Sequence, residues 1–109
     1  MNEDFFDCAE TITNYILTWY TEGYSGMEIA NGIIELLKDD FDYITGGIDE
    51  QVIKDCSLDI SEGSLAWIEI NTKKYRSFGK SEEKIYHLTK INILSIVKNI
   101  LEVYDIGVE

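Results

Sequence analysis

The chain has 109 residues, 45% of them hydrophobic and 12% aromatic, and carries a formal net charge of −12. That length fits one domain of the common size of roughly 100–150 residues, so residues 1–109 are read as a single domain, and the aromatic content excludes a disordered acidic tail. A field of this sign repels nucleic acid and anionic membrane, and no stretch approaches the ~18 consecutive apolar residues of a spanning helix.

Phe5, Cys8, Ile12, Tyr15, Ile16 and Trp19 recur at three- and four-residue steps. This spacing predicts a helix from about Glu3 to Thr21 with these side chains on one face. Glu3, Asp4 and Asp7 complement the dipole in its first turns, and Gly23 is a natural stop. A second helix opens with a capping-box signature, Ser25 followed by Glu28, with Tyr24 and Ile29 placed as a hydrophobic staple. Met27, Ala30, Ile33, Ile34 and Leu37 form its apolar stripe. Gly32 inside that stripe costs about 1 kcal/mol against Ala, which is tolerable where another helix approaches closely. The short connection predicts an antiparallel hairpin of the two helices.

Asp39-Asp40-Phe41-Asp42-Tyr43 leads into Thr45-Gly46-Gly47, a break in the pattern. A short helix is expected from Asp49 to Cys56, with Val52, Ile53 and Cys56 inward, and Ser61-Glu62-Gly63 reads as another break. Residues 64–76 admit two readings. As a strand, Ala66, Ile68 and Ile70 share one face and Leu65 and Trp67 the other. As a helix, Leu65, Ile68, Thr72 and Tyr75 align, and Glu69 sits four residues before Lys73. The helix is favoured because no second strand of comparable quality follows. Ser81 caps the last helix, with Glu82 and Glu83 in its first turn. Ile85, Leu88, Ile91, Leu94, Val97, Leu101 and Tyr104 form one stripe and Ile93, Ile96 and Ile100 another, which predicts a helix covered on more than one side. The expected fold is mainly α, a compact bundle of four to five helices, with a short β-hairpin over 64–76 as the alternative.

The single histidine, His87, has no nucleophile beside it in any recognisable motif and reads as a surface or boundary residue. Nothing resembles a nucleophile elbow, a phosphate-cradling loop or a dinucleotide fingerprint. Cys8, Cys56 and His87 lack the spacing of a zinc site. An EF-hand loop begun at Asp40 fails, because its fifth, sixth and twelfth positions are Ile44, Thr45 and Gln51. No enzyme activity, metal or cofactor is therefore expected. Two buried, reduced thiols are the reading for the cysteines. Met1-Asn2-Glu3-Asp4 has no basic or apolar region of a signal peptide, which makes the cytoplasm the expected address.

The distribution of charge is more telling than its sum. Residues 1–53 carry twelve acids and one base, Lys38, whereas 54–109 carry nine acids and eight bases. A solvated face that keeps a protein soluble does not need such segregation. Glu22, Glu28, Glu35, Asp39, Asp40, Asp42, Asp49 and Glu50 gather around the second helix and the turn after it, with Tyr24 and Tyr43 among them. Amphipathic aromatics anchor protein interfaces. The candidate partner-binding residues are thus Tyr24, Glu35, Asp39, Asp40, Asp42, Tyr43, Asp49 and Glu50, and the expected partner is a basic protein, with neither nucleic acid nor membrane. The basic run from Lys73 to Lys80 reads as a solvated turn.

The paired segments Ile12-Thr13-Asn14-Tyr15-Ile16-Leu17 and Tyr24-Ser25-Gly26-Met27-Glu28-Ile29, with the long closing helix from Ser81 to Tyr104, resemble the small acidic immunity proteins of bacteria. The likeness is to the helical type that protects against colicin-like and contact-dependent growth inhibition nucleases, and it is one of pattern, not identity. It implies an inhibitor that binds a cognate nuclease toxin domain and occludes its active site with acids in place of substrate phosphates. No residue is carried over from a family motif. The alternative is a phage-encoded nucleic-acid mimic such as an anti-CRISPR protein, which would present the same acids to a basic groove.

Overall fold

The computed structural model describes residues 3–107. Helix α1 (Glu3–Thr21) occupies the predicted span and buries Phe5, Cys8, Ala9, Ile12, Thr13 and Ile16. Tyr15, assigned from its spacing to that inner face, is 43% exposed. The chain reverses at Gly23, whose φ of +87° lies in the left-handed region that glycine adopts without strain. Helix α2 (Gly26–Glu35) then starts on a complete capping box. The Glu28 N–H donates to Ser25 Oγ at 3.2 Å, and the Ser25 N–H donates to Glu28 Oε1 at 3.0 Å. Ile29, Ala30 and Ile33 are buried, but Met27 points outward at 61% exposure and does not belong to the stripe.

Between the apolar stripe and the acids Asp39 and Asp40, α2 widens into one π-helical turn over Leu36–Asp40. The Phe41 N–H donates to the Leu36 carbonyl, five residues back, at 2.9 Å. Such a turn displaces the regular bonding pattern. The hydroxyl of the buried Thr45 donates to the Leu37 carbonyl at 2.6 Å, satisfying an acceptor that an unbroken ladder would have used. Thr45 belongs to α3 (Asp42–Thr45), a single turn closed by Gly46 and Gly47.

The largest departure from the sequence reading is α4 (Glu50–Ser77), one unbroken helix of 28 residues. The break expected at Ser61-Glu62-Gly63 is absent. So is the β-hairpin considered for 64–76, and there is no strand among the described residues. The reason lies in α4's inner face, where Ile53, Cys56, Ser57, Ile60, Ser61, Ser64, Ile68 and Thr72 continue at helical spacing through the supposed break. A methyl group at Gly63 would sit 3.6 Å from Ile96 and 3.8 Å from Ile100, so this glycine faces the neighbouring helix rather than a turn. Ser61 Oγ donates to the Gly26 carbonyl at 2.6 Å, tying α4 to the first turn of α2.

Helix α5 (Glu82–Val103) is capped by Ser81, whose Oγ accepts from the Lys84 N–H at 3.2 Å. Its inner edge runs at four-residue steps through Ile85, Thr89, Ile93, Val97 and Leu101. Ile91, expected inside, is 66% exposed. Thr89 can take an inner position because its hydroxyl donates to the Ile85 carbonyl of its own helix at 2.7 Å. Ile96 and Ile100 add a partly buried second stripe. In the bundle, α2 lies along α4, α4 along α5 and α5 along α1, while α1 and α2 meet over a shorter seam. Cys8 and Cys56 are free thiols in the shared core, and burial pushes each up to about 12. No helix among the described residues is long and apolar enough to cross a membrane.

Candidate partner-binding surface

Trp19 organises the seam between α1 and α2. Its six-membered ring lies over Gly32, so closely that a methyl group there would come within 2.5 Å of Cη2. The glycine that weakens α2 therefore makes room for an indole from α1. Tyr15, one turn earlier on α1, has its ring centroid 5.1 Å from that of Trp19 at an interplanar angle of 34°. Tyr24 lies nearly parallel to the same indole, at 6.4 Å and 4°. Tyr24 thereby extends a row of three aromatic rings.

Beside this row is a cleft of about 230 Å³. Tyr15 and Trp19 line it from α1, and Gly32, Glu35, Leu36, Asp39 and Asp40 line it from α2 and the π turn. Three of the eight expected residues, Glu35, Asp39 and Asp40, are thus brought together. All three are exposed, and none takes part in the ion pairs found among the described residues.

The other five separate by role. Tyr24 stacks on Trp19 but does not itself line the cleft. Tyr43 stands on α3, 62% exposed, with its ring 5.9 Å from that of Phe41. Desolvation, and then the nearby charges of Asp4, Cys8 and Asp7, raise its hydroxyl above the ordinary tyrosine value. Asp42, also exposed, begins the same short helix. Asp49 caps α4, its side chain accepting from the Gln51 N–H at 2.7 Å. Glu50 is neutralised within the chain: Lys38 Nζ lies at 3.0 Å and Lys54 Nζ at 3.9 Å. The hydrogen bond and charge of Lys38, with Lys54 behind it, hold its carboxyl below the usual range.

Lys38, the single base of the first 53 residues, is therefore directed to Glu50 and away from the cleft. The basic run after residue 73 is likewise partly occupied, since Arg76 makes a two-pronged contact with Glu82 across the turn between α4 and α5, its closest approach 2.9 Å. His87 is exposed, with its ring edge-on to Tyr86.

Sequence reasoning misses Tyr15 and Trp19 as site residues and assigns them to the core, because helical spacing cannot tell an inner residue from one at the border. The available signal is Gly32, an isolated small residue on a helix facing a helix rich in aromatics. Comparison with protein-family models, with curated proteins and with solved structures found no match.

Proposed function

We propose that this chain is a binding protein that neutralises a basic partner, in the manner of an immunity protein holding a cognate nuclease toxin domain inactive. The cleft supports this reading: Glu35, Asp39 and Asp40 gather without an internal cation beside the exposed ring of Tyr15 and the half-buried indole of Trp19. Unpaired acids steer a cationic protein to the surface and raise its association rate by roughly 10–10³-fold at low salt. Aromatic contacts that lose water on docking then slow its departure. On a nuclease, such carboxylates would lie where substrate phosphates otherwise bind.

The test pairs the chain with the nuclease domain of a toxin encoded next to its gene. Co-expression is expected to restore growth, and the purified pair to associate more slowly as salt rises. Reversing Asp39, Asp40 and Asp42 together to Lys should weaken the complex by ~3 kcal/mol and flatten the salt dependence. Protection and a salt slope untouched by the triple reversal would refute the reading. A complex with a nucleic-acid-guided nuclease instead of a toxin would move the function to nucleic-acid mimicry.

A further inference from the structure

We infer that the cleft between α1 and α2 is a receptor for one arginine side chain presented by a protein partner, the guanidinium lying against Trp19 and Tyr15 and reaching the carboxylates of Glu35, Asp39 and Asp40. This rests on the proposal that the acidic face binds a basic protein, and narrows that contact to a single side chain.

The acids alone would not define a site, and the case for one begins with the aromatic wall. The indole of Trp19 is set onto Gly32, where any larger residue would collide with it. It is near-parallel to the ring of Tyr24 at 6.4 Å and tilted against the ring of Tyr15 at 5.1 Å, and both Trp19 and the exposed Tyr15 line the cleft. Accessible aromatic faces attract cations through their quadrupole, tryptophan most strongly. Size points the same way. At about 230 Å³ the cleft falls below the ~300–1,000 Å³ of sites for small molecules and cofactors, and suits one side chain.

Charge complementarity supplies the other half. Three carboxylates border the aromatic wall, and the lysine adjacent to Asp39 in sequence is held 3.0 Å from Glu50. The cleft is left with a cation's surroundings and, among the described residues, no cation lining it. Arginine fits better than lysine because its guanidinium is planar, sheds water more readily, stacks on rings and offers a fork of donors to more than one carboxylate.

The test titrates Nα-acetylarginine amide and, separately, Nα-acetyllysine amide into the folded chain at low salt, read by ¹H–¹⁵N NMR. The arginine probe is expected to give saturable shifts at the Trp19 indole N–H and the Gly32 amide, with the Trp67 indole as internal control. Its affinity should exceed that of the lysine probe by about 5-fold, and the D39N/D40N variant should lower it by about 10-fold. Absence of a saturable shift at Trp19 up to about 50 mM probe, equal affinity for the two probes, or indifference to D39N/D40N would overturn the inference. Failure here is separable from failure of the proposed function. Toxin neutralisation that depends on Asp39, Asp40 and Asp42 without arginine binding removes the receptor alone, whereas arginine binding without any neutralised toxin leaves the receptor standing.

Discussion

Alanine in place of Gly32 tests whether α1 and α2 are held together as described, because two effects of opposite sign meet at that position. In an exposed helix the change stabilises by about 1 kcal/mol through propensity. Here the new methyl carbon would stand 2.5 Å from Trp19 Cη2, 2.8 Å from Cζ3 and 3.0 Å from Cζ2. Carbon atoms settle at about 3.5–4.0 Å, so a stiff bicyclic ring would have to retreat by about 1 Å. Overpacking of this kind costs about 1–3 kcal/mol. Taking about 2 kcal/mol for the clash and about 1 kcal/mol for the propensity gain, Gly32→Ala should destabilise the fold by about 1 kcal/mol. In a Trp19→Ala background the clash is gone and the same change should stabilise by about 1 kcal/mol. The four proteins form a double-mutant cycle with a coupling of about 2 kcal/mol, measurable by urea unfolding followed by far-ultraviolet circular dichroism. A coupling under about 0.5 kcal/mol, the scatter expected of independent sites, would show that the indole is not seated on Gly32.

The buried serines of α4 provide a contrast within one helix. Ser61→Ala removes the 2.6 Å hydrogen bond to the Gly26 carbonyl and should cost about 1–2 kcal/mol, whereas Ser57 and Ser64, whose hydroxyls have no partner, should tolerate alanine at no cost or with a gain in urea midpoint. For the cysteines, burial raises both thiols from 9.0 to about 12, so the unfolded chain gives up its thiol protons first. Their contribution to stability is complete below pH about 9 and is lost as pH rises toward 12, and a thiol reagent at pH about 8 should label the native protein only as fast as it unfolds; rapid labelling would contradict this. The Glu28 carboxyl is held below its usual value by the Ser25 backbone N–H and then by the Ser25 hydroxyl. Its contribution is therefore present above the ordinary value of 4.5 and fades as pH falls through the lowered one, so the gap in urea midpoint between wild type and Glu28→Gln should narrow in acid.

Much of this architecture is legible from local signals that tertiary packing does not override. The span of α1, the capping box at Ser25 and Glu28 and the cap at Ser81 all arise from residue chemistry within a turn or two, and Gly32 alone among the stripe of α2 signals a close approach from another helix. The continuity of α4 does not. Ser61-Glu62-Gly63 has the composition of a turn, and residues 65–70 alternate as a strand would, so local preference points away from a helix there. What decides is packing far along the chain: Gly63 faces Ile96 and Ile100 of α5, and the buried residues on either side of it continue the inner face of α4. The spacing of Ser57, Ser61, Ser64 and Ile68 carries the helical period, but small polar residues are discounted when periodicity is sought among apolar ones. In the candidate site, the clustering of Glu35, Asp39 and Asp40 is readable from their order in the chain. The withdrawal of Glu50 is not, because it depends on Lys38 reaching across to the start of α4.

The widened turn at Leu36–Asp40 has a bearing on how this surface is specified. One residue there is surplus to regular winding, so deleting Lys38 would let the segment coil normally and leave the chain beyond it close to its present register, whereas deleting a residue from regular α winding would swing everything after it by about 100°. Phe41 and Thr45 would keep their seats, and the change would fall on the tightened turn itself, where the angle between the acidic pair and Glu35 is set. Segment length, as much as residue identity, sets the angular spread of negative charge offered at this end of the molecule. Relatives differing by a single inserted or missing residue at this point would display the same side chains on a different compass.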